Sequence, residues 1–373
     1  MKKNYQPLLL VLNKGKKMRS VNSKKSEQGF TLMEVMIAMV IFLVVTGAIY
    51  GLLRAGNLDR NRSSRRTDTL KNARAALQLI GRDAVNAGLG YTVHGAYVKD
   101  DFLSSQLGFR ADIDDERDLL TAVISGNSIN LSDLQANRTD MIGFATRDVD
   151  FSNGLTMSIT DSQPSSTNSS VPRLTTADEN LVNSQVNDLY VVEANGIRTA
   201  VMTTAIPNGG SGEAIEFALS DPLGMNLSLT DTNANRISLL RKCAPPTITT
   251  NCMNMPGTMK RFFLVTYKVK QDGTLVRTRY GNVAGNAAAQ VQEQPLAYGV
   301  EDMQIRYILR DGTSSDDPSM VGGVYTPANL TNVRMIIVVL TVRDDSLDEN
   351  TRLAHKITLD GTFSTRNLEY DIN

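Results

Sequence analysis

Hydrophobic residues follow three successive regimes along this chain. From Phe30 to Leu53 they are almost continuous (FTLMEVMIAMVIFLVVTGAIYGLL), and Glu34 is the only charge among them. A helix of that length covers roughly 30 Å of hydrocarbon, so the run predicts a membrane-spanning helix. Beyond Arg54 the apolar positions thin to Leu70, Ala73, Leu77, Ile80 and Ala84, stepping by three and four residues as on one face of an amphipathic helix. No proline falls between Pro7 and Pro164, so a single helix can run from about Thr31 to Ala87, with Gly88 and Gly90 as its terminus. At 1.5 Å per residue it would be roughly 85 Å long.

From about residue 95 the pattern changes to short runs of strand type between polar turns. The candidates are Leu119–Ile124, Met141–Ala145, Leu189–Val192, Ala214–Leu219, Phe262–Lys270, Thr274–Tyr280, Met303–Leu309, Val333–Val342 and His355–Leu359. The cleanest unit is a hairpin over Phe262–Tyr280, turning at Gln271-Asp272-Gly273. Asn332–Arg343 is apolar on both faces, which predicts a central strand covered on both sides. It is too short to be a second span. The polar stretches Asp161–Ser170 and Pro207–Gly212 read as surface loops and as candidate boundaries between two lobes. The expected fold class is α+β: a long N-terminal helix, transmembrane and then amphipathic, packed on a large β-rich globular head.

Charge gives this architecture a direction. The 373 residues hold 39 basic and 39 acidic side chains, but the two signs are segregated. Residues 1–29 carry eight bases against Glu27 alone, and residues 54–83 carry eight bases against three acids, which leaves residues 84–373 at −11. The basic leader should stay in the cytoplasm while the body crosses the membrane. A conventional cleaved signal fits badly, because its apolar core would be only about 7–15 residues long. Leu8–Leu12 is too brief to be another span, and Met18 offers an alternative start to Met1. The acidic body offers no general basic face, so no nucleic-acid partner is expected. The basic stem reads as a solvated face, with acidic neighbours or anionic headgroups as the alternative. Two histidines, two cysteines and no tryptophan, without a Gly-rich nucleotide loop, a serine elbow or an acid–base pair, argue against an enzyme.

Glu34 sits five residues into the apolar run. A carboxylate there costs on the order of 2–3 kcal/mol or more unless it is compensated. It either reaches water at the interface or acquires a partner through processing. If the chain is cut between Gly29 and Phe30, the new α-amino group of one subunit can neutralise Glu34 of its neighbour.

Lys24-Lys25-Ser26-Glu27-Gln28-Gly29-Phe30-Thr31-Leu32-Met33-Glu34, followed at once by the apolar run, resembles the class III signal of type IV prepilins and type II secretion pseudopilins. The resemblance implies a pilin-like fold, cleavage after Gly29 by a prepilin peptidase, N-methylation of Phe30 and an assembly role for Glu34. It divides the chain into a cytoplasmic leader (1–29), a transmembrane or filament-core half-helix (30–53), an amphipathic half-helix (54–90) and a periplasmic or extracellular head (91–373). Arg74–Asp83 with Ala84–Tyr91, Pro295–Tyr307 and Phe363–Leu368 are similar to stretches of PilW-like minor pilins. That likeness implies helix–head ion pairing at Arg82-Asp83 and assembly with other minor pilins, the major pilin and an inner-membrane platform. The role implied is to prime or cap a type IV pilus, with location first in the inner membrane and then on the cell surface. A J-type pseudopilin and a ligand- or surface-binding tip subunit are the alternatives. Many major pilins have a proline where this chain has Gly51, near Gly47 and Gly56, so local melting of the helix is allowed but not imposed.

In a translocated head, Cys243 and Cys252 read as a disulfide closing one small loop, with two free thiols as the alternative. No cofactor is expected. The weak candidates for calcium are Asp112, Asp114, Asp115, Glu116 and Asp118, and more weakly Asp311–Asp317; neither stretch has EF-hand spacing, and a solvated acidic loop is the simpler reading.

Overall fold

The computed structural model describes residues 29–110, 116–135, 138–176, 183–207, 214–243, 252–347 and 354–365. The described residues up to Arg60 belong to one unit and those from Asn61 to another, and a single helix, α1 (Leu32–Asn86, 55 residues), contributes to both. In the first unit every residue from Leu32 to Leu53 is exposed, apolar side chains included. In the second unit the helix is amphipathic. Ala73, Ala76, Leu77, Ile80 and Ala84 are buried, whereas Arg65, Lys71, Arg74, Gln78 and Arg82 are exposed. Past the end of the helix Gly88 takes a positive φ, which turns the chain away from the helical path, and its N–H donates to Ala145 O at 3.0 Å.

The head is β-rich, and the protein as a whole is α+β. The strands of its larger sheet are β1 (Ala96–Tyr97), β2 (Leu119–Leu120), β3 (Val123–Asn130), β4 (Thr139–Arg147), β5 (Met157–Pro164), β6 (Pro172–Thr176), β7 (Leu189–Ala194), β8 (Ile197–Met202), β9 (Ala214–Glu216), β10 (Gly257–Val269), β11 (Leu275–Tyr280) and β12 (Val291–Ala297). The 13-residue β10 is the spine. Its first part pairs with β5 and β7, and its second part, from Phe262, pairs with β4 and β11. Two hydrophobic cores lie against these two parts. One gathers the buried face of α1 with Phe144, Tyr267 and the second sheet; the other gathers Phe151, Tyr190, Phe217, Leu240 and Met253.

The second sheet contains β13 (Val300–Leu309), β14 (Ser314–Ser315), β17 (Val333–Leu347) and β18 (Ala354–Ser364), in the order β14-β13-β17-β18; a small hairpin, β15 (Met320–Val321) and β16 (Val324–Tyr325), lies between β14 and β17 in the chain. α1 rests on the inner face of this sheet. A Cβ on Gly81 would sit 2.2 Å from the Phe363 ring, so only glycine permits the approach.

The hairpin expected at 262–280 is present as β10–β11; Gly273 takes φ +81 in its turn and donates to Lys270 O at 2.9 Å. Two expectations need correction. Asp161–Ser170 is not simply a loop, because its first residues lie in β5 and the chain returns through β6, with Pro164 opposite Pro172. Its polar composition conceals the strand: Met157 and Ile159 point inward, and buried Ser162 is satisfied by Leu240 O. The strand expected at 332–343 is internal, but among the described residues only one of its faces is fully covered. Val333, Ile336, Val338, Leu340 and Val342 are buried, whereas Met335, Ile337 and Val339 on the opposite face are only half-buried because α1 covers one face. The basic leader, most of 207–212 and Arg366–Leu368 lie outside the described residues.

Candidate functional site

Gly29, Phe30 and Thr31 precede α1 in non-helical conformation, and Phe30 is 86% exposed. Thr31 is the N-cap of the helix. Glu34 N donates to Thr31 Oγ1 at 3.3 Å, and Glu34 Oε2 accepts from both the Thr31 N–H (3.0 Å) and its hydroxyl (3.1 Å). This reciprocal pair is a capping box, and it places the carboxylate against the positive end of the helix dipole. The sequence reading did not identify it, although the Thr-x-x-Glu spacing is its signature. The box lowers the cost of a charge among apolar side chains and leaves Glu34 Oε1 without a partner among the described residues. Phe30, Glu34, Ala38 and Phe42, spaced by four, lie on one face of this segment. The helix runs unbroken through Gly47, Gly51 and Gly56, and a Cβ added at any of them would meet no neighbouring group within 4 Å among the described residues.

The most apolar 18-residue window of α1 has a mean hydropathy of 2.5 and is 0% buried, so by length and composition the helix can cross a membrane. A helix that is apolar on every side needs lipid or other apolar helices around it.

Within the second unit, α1 is fastened to the sheet by a buried polar cluster. Asp83 Oδ2 accepts from Tyr267 OH (2.7 Å) and from Arg277 Nη2 (2.8 Å) and Nε (3.0 Å). Burial pushes the Tyr267 hydroxyl well above the ordinary tyrosine range, and the neighbouring Asp83 carboxylate adds to the shift. The helix–head ion pairing expected at Arg82-Asp83 is made by Asp83 with the buried Arg277, while Arg82, largely exposed, pairs with Asp83 from the same helix. Nothing local could have revealed Arg277, which lies 194 residues away. A second cluster closes the other core: Arg261 Nε donates to Asp148 at 2.8 Å, its Nη1 donates to Asp188 at 3.3 Å, and its guanidinium lies 4.2 Å from the Phe151 ring centroid.

Cys243 and Cys252 form a disulfide with a Cα–Cα distance of 5.0 Å. Of the calcium candidates, Glu116 accepts from Asn235 Nδ2 at 3.1 Å and buried Asp118 accepts from Leu103 N at 2.8 Å, while Asp112, Asp114 and Asp115 lie outside the described residues. In the later stretch, Asp311 accepts from Thr313, Asp316 from Arg306, and Asp317 from Ser125 and Ser319. No group of three or more His, Cys, Asp or Glu suited to a metal ion occurs among the described residues.

Residues 24–50 match the family model for the prokaryotic N-terminal methylation motif. The matched span contains Gly29, Phe30, Glu34 and the apolar run as far as Tyr50. No curated protein and no solved structure matches the chain. The chain therefore carries the N-methylation signal of type IV pilin-like proteins at the start of a long apolar helix, and a large β-rich head follows. That signal is consistent with anchoring in the inner membrane, and it points to a structural subunit whose partners are other pilins and their assembly machinery.

Proposed function

We propose that the chain is a minor pilin of the PilW-like kind, which joins other minor pilins to prime or cap a type IV pilus at its tip. The observation that carries the reading is the N-methylation motif at the start of an uncovered apolar stretch of α1, residues 32–53, in which Glu34 is the single carboxylate. A prepilin peptidase would cut between Gly29 and Phe30, and Phe30 would be methylated. The bond to be cut lies outside the helix, in exposed non-helical chain. Glu34 keeps one oxygen for a second partner, and the new α-amino group of a neighbouring subunit supplies the matching charge. Because a buried unpaired carboxylate costs a few kcal/mol, pairing favours one register of helix against helix. The span then leaves lipid for a core of apolar helices formed with minor and major pilins, on an inner-membrane platform, and the head passes from periplasm to cell surface.

The same anatomy would serve a J-type pseudopilin of type II secretion. The stretch Arg82-Asp83 to Ala87-Gly88-Leu89-Gly90 and the size of the head favour the pilus. The test is the mass of the chain in membranes of cells with and without prepilin peptidase. Loss of residues 1–29 with addition of one methyl group, only where the peptidase is present, supports the reading. An uncut chain in both strains overturns it.

A further inference from the structure

One open cavity in the head has the chemistry of a ligand site, and neither the methylation motif nor the assembly reading uses it. It encloses about 510 Å³ between the segment Lys99–Gln106, which includes the short helix α2 (Phe102–Ser105), and the segment Leu219–Arg236. That volume falls within the ~300–1,000 Å³ typical of small-molecule sites.

Both walls are held by hydrogen bonds independent of any ligand. On one side Val98 N donates to Asp118 O (2.9 Å) and Leu103 N to Asp118 Oδ2 (2.8 Å). On the other, buried Asp221 accepts from Met225 N (2.8 Å) and Asn226 N (3.1 Å), while Asn226 Nδ2 donates to Met202 O (2.7 Å) and Ala218 O (2.9 Å). Lys99 N donates to Met225 O at 3.2 Å and ties the walls together. A site fixed in advance loses little entropy when a ligand enters. At the rim Asp101 holds a left-handed backbone, with φ 60 and ψ 10. Such strain persists only where the surrounding fold enforces it, and it is common at ligand sites.

The lining mixes both signs and both hydrogen-bonding roles. Lys99 and Arg236 can donate, Asp101 and Asp231 can accept, Gln106 can do both, and Leu219, 51% exposed, adds an apolar surface. Arg236 is oriented by Asp100 at 3.2 Å. Two cations against three carboxylates leave the lining close to neutral, so a strongly charged ligand would meet repulsion as well as attraction. A sugar suits this pattern. Each hydroxyl donates and accepts, and the C–H face of the ring can rest on an aliphatic side chain.

We propose that this cavity binds a neutral saccharide of one or two rings, which would give the head an outside ligand whichever filament carries it. The probes are cellobiose, lactose and N,N′-diacetylchitobiose, each presented to the full-length protein in a detergent without a sugar headgroup. The readout is saturation-transfer NMR, with sugar at about 10 mM so that millimolar affinity registers. Transfer to at least one disaccharide is expected. It should weaken tenfold or more in Gln106→Ala and Asp231→Asn, and it should persist in Glu293→Ala, which lies outside the cavity. Asparagine at 231 retains the oxygen that accepts from Asn233 N at 2.9 Å, so the local turn is kept. Equal unfolding midpoints for the variants and the parent separate loss of binding from loss of fold. Absence of transfer with all three sugars overturns the proposal. So does transfer unchanged in both cavity variants, or transfer abolished by a chelator, which would assign the binding to a cation instead.

Discussion

Replacing Asp83 by alanine removes a carboxylate that joins α1 to the spine of the larger sheet. Its side chain is 10% exposed and that of Arg277 is 13% exposed, so the pair is shielded from water. The substitution leaves the Arg277 guanidinium with Tyr267 OH at 3.0 Å and the Tyr267 ring centroid at 6.0 Å, neither of which carries a full negative charge. Deleting one partner of a buried pair costs about 3–5 kcal/mol, chiefly because the other charge is stranded. Asp83→Asn keeps an acceptor oxygen and should cost less, about 1.5–3 kcal/mol, the range for hydrogen bonds to charged groups. With eleven tyrosines and no tryptophan, urea unfolding of the head can be followed by tyrosine fluorescence on the full chain in micelles. The double variant Asp83→Ala/Arg277→Met removes the stranded charge, so it should recover at least about 1 kcal/mol relative to the sum of the single changes. A loss below about 1 kcal/mol for Asp83→Ala, or strict additivity in the double variant, would refute the argument.

Three further outcomes are expected. Burial raises the Asp140 carboxyl to about 6, and the nearby Asp302 and Asp316 push the same way, against bonds from Ser128 N and Ile305 N. The native state therefore holds this proton more tightly than the unfolded chain, and the Asp140 contribution to stability should fall as pH rises from about 4 to 6 and then level off. Its size is on the order of 3 kcal/mol, and Asp140→Asn should remove this component from a series of urea midpoints. Gly81→Val forces a side chain into the Phe363 ring and should destabilise the head by about 1–3 kcal/mol, with part of the loss recovered by Phe363→Ala. Thr31→Ala deletes the cap and should speed amide exchange at Glu34 in micelles about fivefold, as expected for loss of about 1 kcal/mol; Thr31→Ser should not.

The features legible in the sequence are those with a local signature. The apolar run behind Gly29-Phe30, the stripe Ala73, Leu77, Ile80 and Ala84, and the Asp272-Gly273 turn each announce themselves within a few residues, and the structure places them as read. Strand β12, VQEQPLA, was missed because it is an edge strand: Val291–Pro295 are exposed, so neither alternation nor apolar content marks it. β5 hid behind serines and a glutamine for a related reason, since its polar inward residue is satisfied by a backbone carbonyl. In β17 composition suggested two covered faces, but cover depends on what else packs nearby, and Met335, Ile337 and Val339 have no helix over them among the described residues. The partners of Asp83 and Arg261 are long-range and leave no trace in spacing. At the candidate site, Gly29, Phe30 and Glu34 are legible together, and the bond between Thr31 and Glu34 has its signature in their three-residue interval.

Mass spectrometry of sheared, purified surface filaments beside the membrane fraction tests the central claim most directly. A minor pilin predicts a peptide beginning at N-methylated Phe30 in the filaments, recovered at low abundance because a tip subunit is rare. The same processed peptide confined to membranes would contradict a place in the pilus and favour the secretion pseudopilin. A chain still joined through Gly29–Phe30 in both fractions, in cells with a working prepilin peptidase, would contradict the pilin reading itself.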